Sequence, residues 1–151
     1  MAAICASILS KPYELAMEIR KYLGIPFADH GRDFDGCDCW GLCCLVYRQE
    51  WGICLPDMGD TYSDAYARGE VDAAFLAESA AGWCVEVTGQ EYKPGDIMIF
   101  RRGGLENHAA LYLEPGKMLH QLDGTLSCIA RYDSPLWRNK LSRVFRHVEK
   151  N

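Results

Sequence analysis

Apolar residues change their spacing partway along this 151-residue chain. In the first part they recur every three or four positions, the period of a helix with one buried face. Leu15, Ile19, Tyr22 and Leu23 follow Ser10-Lys11-Pro12, where Ser10 can cap, Pro12 suits a first turn, and Gly24 is a fitting stop. This predicts a helix over about 10–23. Residues 24–37 hold Gly, Pro, Asp and His and read as a loop. Leu42, Leu45 and Val46 mark a second helix over about 39–51, with Asp38 as its cap and Gly52 as its stop. An Ala-rich helix, interrupted near Gly69, is expected within 61–81. After Gly82 the apolar runs become short and β-prone: 83–87, 97–100, 107–113, 117–121 and 127–132, separated by turn residues. Ser134-Pro135 starts one helical turn, and 143–148 reads as a last strand. Helices first and a meander of strands afterwards predict an α+β fold, N-terminal helices packed on a mostly antiparallel sheet. With no repeat or linker along it, 1–151 is expected to form one domain.

Composition narrows the function. Apolar residues are 49% and charged residues 25%, the balance of a folded chain rather than a disordered one. The net charge of −5 leaves no basic excess to hold phosphates, so no nucleic-acid partner is expected. No apolar run approaches the ~18 residues of a membrane-spanning helix, so no membrane insertion is expected. Residues 1–9 are apolar but short, with no cation ahead of them, and Cys5 has too little chain before it for a lipoprotein cysteine. The expectation is a chain made in the cytoplasm without a signal peptide. Most of its eight cysteines read as reduced, small core residues, because disulfide scaffolds are smaller, loop-rich and secreted. Cys37, Cys39, Cys43 and Cys44 follow C-x-C-x3-C-C spacing with no second knuckle, so no metal site is expected; zinc there would make the chain a metal-stabilised binding module instead.

The segment 34–42 carries the most chemistry. A cysteine in the first turn of a helix sits among unpaired N–H groups at the positive end of the dipole, which favours thiolate and lowers the pKa. Cys39 fits that position, Cys37 lies before the cap, and Gly41 lets another chain come close. The alternative is that Cys39 is one more small buried residue. A thiol nucleophile needs a base, and there are four histidines. His30 lies in a loop, and His147 belongs to a charged C-terminal tail and is expected to be exposed. His108 and His120 sit in neighbouring β-prone runs, where one ring can act as base and the other can orient it.

Here the chain resembles a known family. Asp38-Cys39-Trp40-Gly41-Leu42 is similar to the D-C-S-G-L nucleophile box of the NlpC family of papain-like cell-wall cysteine peptidases. Lys93-Pro94-Gly95-Asp96-Ile97 with Phe100 resembles its P-G-D-L-x-x-F strand, and Asn107-His108-Ala109-Ala110-Leu111-Tyr112 its G-H-V-G-I-Y strand. Lys117-Met118-Leu119-His120-Gln121 resembles K-M-I-H-A, and Gly24-Ile25-Pro26-Phe27 the upstream G-x-P-Y. The D-C-W-G variant, with Val46-Tyr47-Arg48 and Gly52-Ile53-Cys54-Leu55-Pro56, is most similar to members in phage and prophage tail modules. The resemblance implies a papain-like NlpC-type fold with Cys39 as nucleophile, His108 as general base and then acid, and His120 orienting His108. It implies the Cys39 N–H in the oxyanion hole and Asp38 beside a free amine of the substrate. The substrate would be the stem peptide of peptidoglycan, cut between D-glutamate and the diamino acid, with no metal or cofactor. Phage tail proteins would be partners, and the virion or tail the location. Two positions depart from the pattern. Phe27 lacks the hydroxyl of the usual Tyr on the oxyanion or substrate side, and Trp40 replaces a Ser and adds a large ring at the cleft. An amidase-type toxin with the same Cys-His pair, and a catalytically silent tail-assembly subunit, are the other readings.

Side-chain parity adds a geometric expectation. His108 shares a strand face with Ala110 and Tyr112, and His120 with Met118. A plain two-residue turn at Pro115-Gly116, pairing 114 with 117, would set His120 across from Leu111 on the wrong face. A longer loop, or a bulge that restores parity and sets His120 across from Ala110, is therefore predicted.

Overall fold

The computed structural model describes residues 18–59, 63 and 68–150. Most of the helix expected over 10–23, and Cys5, lie outside them. Its end is a 3-10 turn, Ile19–Tyr22, with Ile19 and Tyr22 buried; Leu23 turns to extended backbone. The stretch read as a loop contains a small hairpin, β1 (Arg32–Asp33) and β2 (Gly36–Cys37). Strands of two residues carry no periodic signal, so nothing in the apolar pattern marks them. Close packing marks them instead: a Cβ on Gly31 would run into the Gly36 carbonyl, and one on Gly36 into the Ala28 side chain.

β2 leads straight into α1 (Cys39–Trp51). Asp38 caps it through the Gly41 amide at 2.7 Å, and Gly52 closes it in the left-handed region at φ 65°. Every residue from Cys39 to Tyr47 is buried, so this half of the helix is enclosed on all sides. α2 (Arg68–Ser79) is the expected Ala-rich helix, and Gly69 lies in its first turn rather than interrupting it.

Six strands follow: β3 (Cys84–Glu86), β4 (Ile97–Arg102), β5 (Leu105–Glu114), β6 (Lys117–His120), β7 (Cys128–Arg131) and β8 (Leu141–His147). They form one sheet in the order β3-β8-β4-β5-β6-β7, and every neighbouring pair is antiparallel. The fold is α+β, as the order of apolar patterns predicts. Alternation divides the sheet. Ile97, Ile99, Ala109, Leu111, Leu119 and Phe145 join the core made with α1 and α2, and both helices pack on β5. Met98, Phe100, Ala110, Tyr112, Met118 and Val144 join a second core with Val87 and Trp137.

Two local features bear on the site. The β5–β6 pairs are Glu114↔Lys117, Tyr112↔Met118, Leu111↔Leu119 and Ala110↔His120, so Leu113 is an extra residue. This bulge restores the parity that the tight turn at Pro115-Gly116 would have broken, and His120 stands opposite Ala110. His147 departs from expectation. It is the last residue of β8, 7% exposed, with its ring 5.8 Å from Trp83 and 6.1 Å from Tyr47. The charged residues around it in sequence hide its pairing opposite Cys84 of β3, which carries the strand that far.

Candidate active site

The start of α1 is fixed from several sides. Asp38 Oδ1 accepts from the Gly41 amide and, at 2.9 Å, from Arg32 Nη1; Oδ2 accepts from the His30 amide at 3.0 Å. Arg32 also binds Asp57 at 3.1 Å, and its carbonyl accepts from Arg48 at 2.9 Å. Gly41 must be glycine here, because a Cβ would collide with the Gly31 carbonyl. The carboxylate that the resemblance sets against a substrate amine is thus 1% exposed, with both oxygens engaged within the protein. Its visible work is to hold Cys39 at the head of the helix.

Cys39 reaches the sheet at β5. Beyond the Ala110–His120 rung the β5–β6 pairing stops, and there the Cys39 thiol meets the backbone of Ala109. Burial pushes the thiol up to about 12, with the negative charge of Asp38 adding to it. The Ala109 backbone and the Arg102 charge act in the opposite direction. The lowering expected from the helix start is therefore outweighed by desolvation. Cys39 rests as a neutral thiol.

His108 is fully buried, and its Nε2 lies 3.0 Å from His120 Nδ1. Its Nδ1 is buried without a hydrogen-bond partner. Burial first, then His120 and Arg102, hold His108 well below its ordinary 6.5. Burial and then Arg102 lower His120 to about 4. Both rings are neutral at pH 7, and they share one proton between them. If His108 donates from Nε2 to His120, its Nδ1 is a bare acceptor, the form a general base needs. The two histidines pack with Trp137, and His108 also with Phe100, on the face that carries Ala110 and Met118. No hydrogen bond joins the Cys39 thiol to His108 Nδ1 in the free chain.

A cleft opens beside Cys39, lined by Asp38, Trp40, Met58, Val71, Phe75 and Asn107 among others. Trp40 is 3% exposed, donates to the Pro56 carbonyl at 2.7 Å, and packs on Phe75 and Trp83. It closes one wall of the cleft rather than projecting into it. Phe27 is half-buried and bridges Cys37, two residues before Cys39. His30 has its ring Nε2 2.9 Å from the Ser63 carbonyl. Among the described residues no group of three or more His, Cys, Asp or Glu is placed to hold a metal ion.

Some neighbours of the site were not singled out by sequence. Arg102 at the end of β4 donates to Asn107 Oδ1 at 3.0 Å and to Asp123 at 3.2 Å, so it links the residue before His108 to the loop after β6. The α2 wall of the cleft, Val71 and Phe75, carried only a helical apolar signal. Trp137, stacked on His108, comes from a segment with no periodicity.

A helix-initial cysteine set against a strand whose histidine pairs with a histidine of the next strand, on an antiparallel sheet backed by helices, defines a papain-like architecture. Comparison with known proteins gives the family. The sequence model of the NlpC/P60 family matches residues 24–146, and the chain belongs to that family. The gamma-DL-glutamyl hydrolase of Bacillus subtilis (strain 168) is 26% identical over 147 residues, which cover 95% of this chain and 31% of that protein. The murein DD-endopeptidase MepS/murein LD-carboxypeptidase of Escherichia coli (strain K12) is 20% identical over 128 residues, 85% of this chain and 58% of that protein. The chain thus spans less than two thirds of either relative. An NlpC/P60 family protein from Bacillus cereus shares the fold with a TM-score of 0.66 and 22% identity, over 91% of this chain and 40% of that one. The NlpC/p60 domain of the peptidoglycan hydrolase SagA gives 0.60 and 20%, over 90% and 98%.

Proposed function

We propose that this chain is a cysteine peptidase that hydrolyses the stem peptide of peptidoglycan between D-glutamate and the diamino acid. The observation that carries the reading is the Cys39 thiol at the Ala109 backbone, one residue from an imidazole whose other nitrogen is held by His120. The names of the relatives, a gamma-DL-glutamyl hydrolase and a murein endopeptidase, support the substrate class.

Cys39 sulfur attacks the amide carbonyl while its proton passes to His108 Nδ1. The oxyanion is met by the Cys39 N–H at the helix start. His108 returns the proton to the leaving amine, which departs as the C–N bond breaks and leaves a thioester. Water, deprotonated by His108, cleaves the thioester and restores the thiol. Catalytic hydrogen bonds are commonly long before substrate binds and tighten afterwards, so a free chain without a thiol–imidazole hydrogen bond is compatible with this sequence. The association with phage tails rests on the D-C-W-G variant and the segments 46–48 and 52–56. Finding the chain by mass spectrometry in purified tails tests that part.

Digestion of purified muropeptides, read by mass spectrometry, tests the activity. New fragments that end in D-glutamate are expected. Cleavage at another amide of the glycan–peptide junction would replace the bond assignment with an amidase. A folded chain that releases nothing would favour the silent assembly subunit.

A further inference from the structure

Between β7 and β8 the chain makes a single turn at Ser134, whose carbonyl accepts from the amides of Trp137 at 3.0 Å and Arg138 at 2.8 Å. The turn sends Trp137 inward, where it is 4% exposed. Its indole lies over the His108 ring, centroids 5.1 Å apart and planes 25° from parallel. The same indole meets His120 edge-on at 5.4 Å and 89°, and Phe100 at 5.2 Å and 73°. Phe100 in turn stands 6.0 Å from His108. Above the indole, Lys140 Nζ lies 5.4 Å from the ring centre. Trp137 does not line the Cys39 cleft. Its ring neighbours are the two histidines and the phenylalanine beside them.

That placement has consequences for an imidazole. The last side-chain torsion of histidine is broad, so a hydrogen bond at one nitrogen does not by itself fix the ring plane. A stacked aromatic does, and a buried indole also shuts out water that would compete for the bond. We propose that Trp137 is a positioning residue of the His108–His120 pair, holding the His108 ring in the plane where Nε2 meets His120 and keeping water from that bond. The inference rests on the reading of His108 as the base and adds a residue that acts through it without touching substrate.

Removing the indole lets water reach His108. The pKa of the ring then rises toward 6.5, because burial is the largest cause of its depression. A protonated His108 cannot take the thiol proton, so the acid limb of the rate profile moves to higher pH. The other charged and titratable groups that face the pair from the elements packed round it are His120 on β6, Cys128 opposite it on β7, Tyr112 on the same face of β5, Arg102 on β4 with its partner Asp123, Cys39 and Asp38 at the start of α1, and Lys140 beyond the indole. Substituting Trp137 replaces none of them.

The test uses the whole chain with ring-15N histidine, followed by long-range 1H–15N spectra across about pH 5 to 8. In the parent, His108 is expected as a single tautomer that stays unprotonated. In Trp137→Ala, mixed tautomers and a midpoint raised toward 6.5 are expected, so kcat/KM falls up to about fourfold more at pH 6 than at pH 8, with KM little changed. Trp137→Phe keeps a stacking ring and should restore the parent tautomer, while Trp137→Leu keeps apolar volume and should not. A folded Trp137→Ala with the parent tautomer, titration and rate profile overturns the proposal. So does equal behaviour of the Phe and Leu variants, the comparison that decides if the Ala variant does not fold. The spectra need no substrate. A parent that cleaves no muropeptide would defeat the functional reading alone.

Discussion

Cys39 shows two rules of thiol chemistry in opposition. A helix start lowers a thiol pKa, and burial raises it. Here burial prevails, and the thiol stands near 12 in the free chain. A standing thiolate is then a negligible fraction at pH 7, so the nucleophile forms only as its proton moves to His108. Ordinary alkylation should follow exposure instead. At pH 8, iodoacetamide should modify the exposed Cys54 and Cys128 before Cys39, as read by peptide mapping. Cys39 labelling first would mean that the thiolate is preformed. The histidines divide in the same way. His108→Ala should abolish turnover, and His120→Asn should keep part of it, since an amide can still hold the imidazole. His120→Ala as active as the parent would remove His120 from the site. Residue type and spacing offered Cys39, His108 and His120 as candidates, and only the resemblance to the family's motifs gave them their roles. The depth of burial that sets their protonation was not legible, because it depends on α2 and Trp137, which lie far from them in sequence.

The elements explain why motifs that look catalytic in sequence are partly structural. Gly95, inside Lys93-Pro94-Gly95-Asp96, has φ +91°, and a Cβ there would come 2.6 Å from the Trp51 ring. Its carbonyl accepts from the Tyr47 hydroxyl, so this turn fastens α1 to the sheet. Asp96, fully buried, grips Arg146 with two bonds of 2.8 and 2.7 Å and so ties the start of β4 to β8. Gly95→Ala should destabilise the chain by about 1–3 kcal/mol in urea unfolding, from strain at positive φ together with the clash. No change in the urea midpoint would show that the turn relaxes freely. The Leu113 bulge teaches a related lesson. Parity made it legible in advance, because one residue of slip would have turned His120 to the opposite face. The β1–β2 hairpin was not legible, since two-residue strands are set by glycine packing and not by alternation.

At the scale of the whole molecule, two buried neutral imidazoles make stability depend on pH. In the unfolded chain both titrate near 6.5, whereas folded His120 titrates near 4 and burial holds His108 well below its ordinary value. Below pH 6.5 the unfolded state therefore binds protons that the folded state refuses. Stability is full above that pH and falls as pH drops toward 4, by up to about 1.4 kcal/mol per pH unit for each ring. Urea midpoints at pH 7 and pH 5 should show the loss, and His120→Asn should reduce it; equal slopes in parent and variant would place the acid sensitivity elsewhere. The α+β order of elements and the placing of the histidines on adjacent strands came through from the apolar pattern. The contact of the Cys39 thiol with the Ala109 backbone did not, because it lies where the pairing of β5 with β6 ends.

The central claim is that Cys39 is acylated by the stem peptide, and intact-mass spectrometry of acid-quenched reactions tests it most directly. During turnover of a purified muropeptide, the chain should gain the mass of the glutamyl-side fragment, mapped to Cys39. Cys39→Ala should show neither the adduct nor new fragments. An acyl group on another residue, or fragments released by Cys39→Ala at the parent rate, would contradict the account.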